Sequence, residues 1–149
     1  MANIFDVAHY ILTRKPDVST MKLQKLCYYA QSWSLAWDGV PIFGEDFQAW
    51  ANGPVSIELF SKHRGKYKID AKNLEKYTSD EGLTDLELET IDVILEDYGD
   101  KSPHWLSELT HKERPWKETR GNLPLGERSN EVISKDLMQD YYTGLLSDE

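Results

Sequence analysis

The sequence is that of an acidic chain of moderate size. It has 149 residues, with 17 Lys and Arg against 26 Asp and Glu, and a formal net charge of −9. A chain of this length buries about 68% of its unfolded surface in one core, so we expect a single domain over residues 1–149. Proteins that bind nucleic acids need a basic surface, and the acidic excess therefore indicates no nucleic-acid partner.

Cysteine content and hydropathy disfavour two further classes of protein. Cys27 is the single cysteine, so neither an internal disulfide nor a zinc site built from cysteines can form. No apolar run approaches the roughly 18 residues that a membrane span requires, and the N-terminus lacks the basic and apolar regions of a secretory signal. We therefore expect a cytoplasmic protein with no membrane partner and no cofactor.

The first 39 residues predict two helices. Apolar residues recur at helical spacing over residues 4–12, and Pro16 ends that helix. Ser19 and Thr20 can cap a second helix, which ends at Gly39. Its apolar stripe consists of Leu23, Leu26, Cys27, Ala30, Trp33 and Trp37.

Short aromatic-rich segments then predict a small β-hairpin. Residues 41–43 and 47–50 are its two strands, on either side of a Gly-Glu-Asp turn. Pro54 occupies the first position of a helix over residues 55–63. Its inward-facing side chains are expected to be Ile57 and Phe60.

The second half of the sequence predicts three further helices. A polar connection over residues 65–82, with a short helical turn at Leu74 and Tyr77, is followed by a capping box of Thr84 and Glu87. The buried side of the helix that begins there is expected to contain Leu83, Leu86, Ile91, Ile94, Leu95 and Tyr98. A short helix runs from Pro103, with Trp105 facing the core, until Pro115 closes the segment, and Ser134 starts the last helix. The predicted fold class is a mainly α (α+β) domain with a small β-hairpin inserted after the second helix.

No pattern in the sequence indicates an active site. Cys27 lies on an apolar helical stripe, where burial raises the pKa of a thiol, and we interpret it as a core residue. Glu108 and His111 have the Glu-x-x-His spacing of di-iron bundles, but the second such pair and two further glutamates are missing. Glycine-rich phosphate loops and nucleophile elbows are also missing, so we expect a protein that is not an enzyme.

Two features leave a choice between a structural and a binding role. Asp85, Glu89, Asp92 and Glu96 recur at helical spacing and form an acidic stripe, which is either a solvated face or a surface that attracts a basic protein. Trp50 and Trp116 lie beside loops, where a tryptophan either covers the core or anchors an interface. A basic cluster between Lys62 and Lys76 is interrupted by acidic residues, which is typical of a solvated surface.

Three ordered segments resemble a known family. The segments are MKLQKLCYYAQ (21–31), GVPIF (39–43) and FQAWANGPV (47–55), and a weaker similarity continues through ERPW (113–116) to residues 133–134. Together they resemble the Panacea domain family, also called SocA-like or phage-associated GepA proteins. The resemblance implies a non-enzymatic protein of bacterial chromosomes, prophages and phages that acts as an antitoxin against a protein toxin.

The resemblance leaves the mode of action open. Members neutralise the toxin by direct contact, whereas SocA itself is an adaptor that delivers the toxin to a Clp-type protease. An inhibitor of a host defence protein, encoded by a phage, is a third interpretation, and the oligomeric state is unknown. The candidate partner-binding residues are Lys22, Lys25, Tyr29, Trp50, Asn52, Asp85, Glu89, Asp92, Glu96 and Trp116; the first three are placed on the helix side opposite the apolar stripe.

Overall fold

The computed structural model describes residues 1–147, which are mainly helical with a small antiparallel sheet. The helices are α1 (Ile4–Arg14), α2 (Thr20–Asp38), α3 (Ile57–His63), α4 (Asp85–Tyr98), α5 (Pro103–Lys112), α6 (Arg114–Arg120), α7 (Lys135–Ser147) and a 3₁₀ helix (Ala71–Tyr77). The strands are β1 (Phe47–Trp50), β2 (Gly53–Val55) and β3 (Val132–Ile133), in the order β2-β1-β3. This architecture confirms the predicted fold class. Over residues 1–147, no helix is both long enough and apolar enough to cross a membrane.

Helix α2 lies at the centre of the fold. It packs against α1, α4, α5, α7 and β2, and every side chain over residues 23–32 is buried. The ends of the helix are as predicted, because the Ser19 hydroxyl accepts a hydrogen bond from the Lys22 backbone N–H and Gly39 adopts a left-handed φ of 73°. Since neighbours surround the helix, the polar residues on it are buried as well as the apolar ones.

The prediction that residues 41–43 pair with residues 47–50 in a hairpin is wrong. Strand β1 pairs with β2, with Gln48 opposite Val55, and with β3, with Phe47 opposite Ile133. Residues 41–43 form no strand, because the buried Gln31 side chain binds their backbone. Its Oε1 accepts from the Ile42 N–H at 2.8 Å, and its Nε2 donates to the carbonyl of residue 43 at 2.7 Å.

Helix α3 begins later than predicted. Pro54 belongs to β2, and the buried Gln24 side chain binds both backbone groups of Ser56, with Oε1 2.8 Å from the N–H and Nε2 3.1 Å from the carbonyl. The Ser56 hydroxyl then caps α3. This start turns Leu59 into the core and leaves Ile57 45% exposed, so the prediction that Ile57 faces inward is wrong.

Helix α4 follows the prediction at its start and along most of its buried side. Thr84 and Glu87 form the capping box, and Ile91, Ile94 and Leu95 are buried. Leu86 was expected to be buried but is 53% exposed. With about 100° of rotation per residue, it projects to the side opposite Ile91.

Three further predictions about the aromatic residues and the last third of the chain require correction. The helical pattern predicts core positions for Trp37 and Trp105, but these side chains are 40% and 43% exposed. Pro115 lies in the first turn of α6, a helix that the sequence analysis missed, instead of ending a segment. Glu113 is both the C-cap residue of α5 and the N-cap residue of α6, so a single residue with extended backbone separates the two helices.

Candidate partner-binding surfaces

The outer face of α4 combines acidic and apolar side chains. The helix contains six Asp or Glu residues and no Lys or Arg. Asp85, Glu89 and Glu96 are exposed on this face, together with Leu86 and Val93, which is 38% exposed. The two apolar side chains project close together on the helix, beside the acidic stripe. An apolar centre beside charged residues is the usual anatomy of a protein interface.

Asp92 differs from the other members of the acidic stripe. Its Oδ1 accepts a hydrogen bond from the Tyr10 hydroxyl at 2.6 Å and lies 3.4 Å from Nη1 of Arg14. The hydrogen bond to Asp92 raises the pKa of Tyr10. Because Asp92 already has partners on α1, three members of the stripe are left to present charge to solvent.

Tyr29 does not lie on an outward-facing side of α2, as the sequence analysis had placed it. It is fully buried, its ring stacks on Tyr98 with centroids 4.4 Å apart, and its hydroxyl donates to Oε1 of Glu113 at 2.7 Å. The Tyr142 hydroxyl donates to the same oxygen at 2.8 Å. Helices α4 and α7 cover this side of α2, which is why a polar residue there is not a surface residue.

Glu113 is the acidic centre of this tyrosine cluster. Burial raises its pKa from 4.5 to about 7, although the two tyrosine hydrogen bonds oppose the change by stabilising the carboxylate. Burial and the nearby Glu113 in turn hold the pKa values of Tyr29 and Tyr142 well above the ordinary range. The cluster therefore links α2, α7 and the α5–α6 junction through one ionisable group.

Lys25 is also buried, contrary to the prediction that it faces outward. Its side chain is 2% exposed and, among residues 1–147, its Nζ has no hydrogen-bond partner. Burial lowers the pKa of Lys25 to about 7. By contrast, Lys22 is half-buried and its Nζ donates to the carbonyl of Gly99.

Lys25 lines a cleft of about 220 Å³ between α2, the β1–β2 turn and α5. The other residues of this cleft are Met21, Asn52, Pro103, His104 and Ser107. Asn52 is exposed, and its carbonyl accepts a hydrogen bond from the Ser107 hydroxyl at 2.7 Å. The cleft is thus formed by the turn on one side and by the N-terminal part of α5 on the other.

The two loop tryptophans have different environments. Trp116 is buried, its indole N–H donates to the carbonyl of Trp50 at 2.8 Å, and its ring stacks on His111 at 4.0 Å. Trp116 therefore covers the core, which was one of the two interpretations. Trp50 is half-buried and lines a second cleft, of about 130 Å³, that shares Met21 and Asn52 with the first.

Cys27 has a structural role. Cys27 is fully buried and burial raises its pKa, which confirms its assignment to the core. Within residues 1–147, no three His, Cys, Asp or Glu side chains come together in a group that could hold a metal ion.

Sequence reasoning missed several residues of these surfaces. Leu86 and Val93 could have been found by projecting the whole of α4 onto a wheel, since they fall opposite Ile91. His104 and Ser107 carried no local signal, because their place in the cleft depends on how α5 packs against the β1–β2 turn. Nothing local marks Glu113 as buried.

Comparison with known proteins identifies the family of the chain. A protein-family model described as antitoxin SocA-like, Panacea domain, matches residues 23–117, which is more than half of the chain. The chain therefore belongs to the SocA-like antitoxin family with a Panacea domain. The matched region includes most of α2, the β1–β2 hairpin, α4 and α5. Comparisons with curated proteins and with solved structures gave no match.

Proposed function

We propose that this protein is an antitoxin that neutralises a protein toxin by direct, stoichiometric binding. The observation that carries the proposal is its membership of the SocA-like antitoxin family over residues 23–117. Members of an antitoxin family act on a protein partner, and direct contact requires a surface that can bind one. Two surfaces of this chain support that requirement: the outer face of α4 and the cleft that Lys25 lines.

The first of these surfaces is the outer face of α4. Asp85, Glu89 and Glu96 have no ion-pair partner within residues 1–147, whereas Asp92 is paired with Arg14. Unpaired carboxylates speed association with a basic partner by electrostatic steering. The exposed Leu86 and Val93 add apolar area that a partner can cover.

The test is co-expression with the product of the neighbouring gene, followed by purification of the pair. We expect the neighbour to stop growth, this protein to restore it, and the two to co-purify at a fixed ratio. Inhibition of the toxin by purified protein, without any protease, is the outcome that establishes direct neutralisation. Rescue that depends on a Clp-type protease and leaves no complex would contradict it, and so would a neighbour that is not toxic.

Charge reversal on α4 tests the surface. We expect the Glu89→Lys/Glu96→Lys variant to bind the neighbour's product about tenfold or more weakly. The matched control is Asp38→Lys/Asp136→Lys, which changes the net charge equally, from −9 to −5, at exposed positions on α2 and α7. Charge reversal at Lys72 and Lys76 on the 3₁₀ helix should also weaken binding less than charge reversal on α4 does. Equal affinities of the α4 variant and the controls would exclude this face as the binding surface.

A further inference from the structure

Lys25 carries a buried amine that the fold leaves without a hydrogen-bond partner in the described part of the chain. Its Nζ has no hydrogen-bond partner within residues 1–147, and its side chain is 2% exposed. Burying an ammonium group without a partner is costly, so buried lysines are rare unless they are paired. An apolar side chain of similar length would fill the same space without that cost.

The backbone is shaped around this side chain. Gly53 has a φ of +119°, and a Cβ at this position would lie 2.5 Å from Cε of Lys25 and 2.9 Å from Oγ1 of Thr110. The φ of Gly53 disfavours any side chain at this position, and the lysine passes through the space between Gly53 of β2 and Thr110 of α5 that a Cβ would occupy. The close approach indicates that the Lys25 side chain is held in one position within the core, and that it does not lie loosely at the edge of the core.

The cleft that Lys25 lines favours a negatively charged ligand. None of its six residues, within the part of the chain that the structure describes, is acidic, although the chain has a net charge of −9. Pro103 and His104 belong to the first turn of α5, a helix of 10 residues whose N-terminus carries a partial positive charge. Asn52 adds an exposed amide at the mouth of the cleft.

The size and donor set of the cleft select the kind of anion. Its volume of about 220 Å³ lies below the roughly 300–1,000 Å³ of sites for drug-sized ligands. It offers one ammonium group and no arginine, whereas phosphate recognition usually combines arginine forks or several backbone N–H groups. These features fit a single carboxylate better than a nucleotide.

We propose that Lys25 receives an acidic side chain of the protein partner, inserted through the cleft between the β1–β2 turn and the start of α5. This inference rests on the proposed function, because it requires a protein partner. The carboxylate would give Nζ the hydrogen-bond partner that the isolated chain lacks. Lys25 would then be a specificity determinant beneath the surface, separate from the acidic face of α4.

The main test compares the wild type with Lys25→Met, which removes the charge and shortens the side chain by one heavy atom. We expect the variant to be at least as stable to heat as the wild type, and to bind the neighbour's product about tenfold or more weakly. Lys72→Met removes a charge from an exposed position and is the matched control, with affinity unchanged within about twofold. A Lys25→Met variant that binds like Lys72→Met would overturn the proposal.

A second variant tests the cleft without altering its interior. Asn52→Tyr places a bulky ring over the mouth from an exposed position, and we expect it to weaken binding to the same degree. Unchanged affinity would show that no partner group enters. In a double-mutant cycle of Lys25→Met with each exposed acidic residue of the partner changed to Ala, one acidic residue should show strong coupling; no coupling at any of them would overturn the proposal.

Two controls separate this inference from its alternatives. If the wild type does not bind the neighbour's product at all, the proposed function fails. If the wild type binds, the affinity of Lys25→Met tests only the role of Lys25 in the cleft. Sodium acetate is the probe for a free carboxylate. Thermal stabilisation of the wild type by acetate but not of Lys25→Met, with unchanged affinity of the variant for the partner, would assign the site to a free anion and overturn the partner as the source.

Discussion

Replacing Glu113 by Gln should change how the stability of this protein depends on pH. Glu113 is buried, and its Oε1 accepts hydrogen bonds from Tyr29 at 2.7 Å and from Tyr142 at 2.8 Å. Burial raises its pKa from 4.5 to about 7. Glutamine keeps a carbonyl oxygen that can accept both hydrogen bonds, but it cannot ionise.

The folded state binds the Glu113 proton more tightly than the unfolded state, and this difference determines whether stability rises or falls with pH. Between pH 4.5 and about pH 7 the folded protein retains the Glu113 proton and the unfolded chain releases it. The stabilisation is therefore fully present below pH 4.5 and is lost as the pH rises through about 7. At about 1.4 kcal/mol per pH unit, the loss amounts to about 3 kcal/mol.

The assay is urea unfolding of the wild type and Glu113→Gln from pH 4.5 to 8 at constant ionic strength. Because the other titratable groups are common to both proteins, the difference in unfolding free energy isolates Glu113. We expect the difference to shift in favour of the variant by about 3 kcal/mol across this range. The control is Glu131→Gln, which removes a carboxylate from an exposed position. A difference that stays constant with pH would refute a buried Glu113 that becomes protonated near neutral pH.

Two further substitutions test how the backbone is held. Gly53→Ala should reduce the free energy of unfolding by about 2–5 kcal/mol, from the positive φ and from overpacking against Lys25; urea midpoints should show a smaller loss for Gly65→Ala, where φ is +78° but the space is open, and equal losses would exclude the clash. Gln31→Leu leaves the backbone of residues 42–43 buried without its hydrogen-bond partners and should cost about 2–5 kcal/mol in thermal unfolding. A loss below about 1 kcal/mol would mean that these backbone groups find other partners.

The parts of the fold that could be predicted from the sequence are those fixed by neighbouring residues. Ser19 and Gly39 limit α2, and Thr84 with Glu87 starts α4, because each cap binds a backbone group within four residues. These signals are local and can be recognised without knowing the tertiary structure. The fold class follows from the helices that they define.

The hairpin was mispredicted because its partners are decided at a distance. The segment 41–43 has the composition of a strand, yet Gln31, on the preceding helix, binds its backbone and removes it from the sheet. Likewise Gln24 holds Ser56, 32 positions along the chain, and so sets the start of α3. The sequence around a glutamine on a helix does not indicate which distant backbone group its side chain will bind.

The candidate site was only partly predictable for a related reason. The hydropathy pattern divides α2 into an apolar stripe and an exposed polar side, which is correct for a helix with one buried face. Because α4, α5 and α7 pack around α2, its polar side is buried too. Lys25 and Tyr29 were therefore selected for their lack of a packing role, whereas Tyr29 proves to be part of a buried hydrogen-bonded cluster.

The buried glutamines of helix α2 can be compared with Lys25 by the hydrogen bonds that their side chains make. Gln24, Gln31 and Lys25 are all buried polar residues on the same helix, and each glutamine has both ends of its amide hydrogen-bonded to the backbone. Those bonds offset the cost of burial, so the glutamines are explained by the fold. The amine of Lys25 is buried at a cost that lowers its pKa to about 7 and, within residues 1–147, it makes no hydrogen bond that would offset this cost. A role in folding therefore accounts for the glutamines but not for the lysine, which favours a ligand from outside the chain as the partner of its ammonium group.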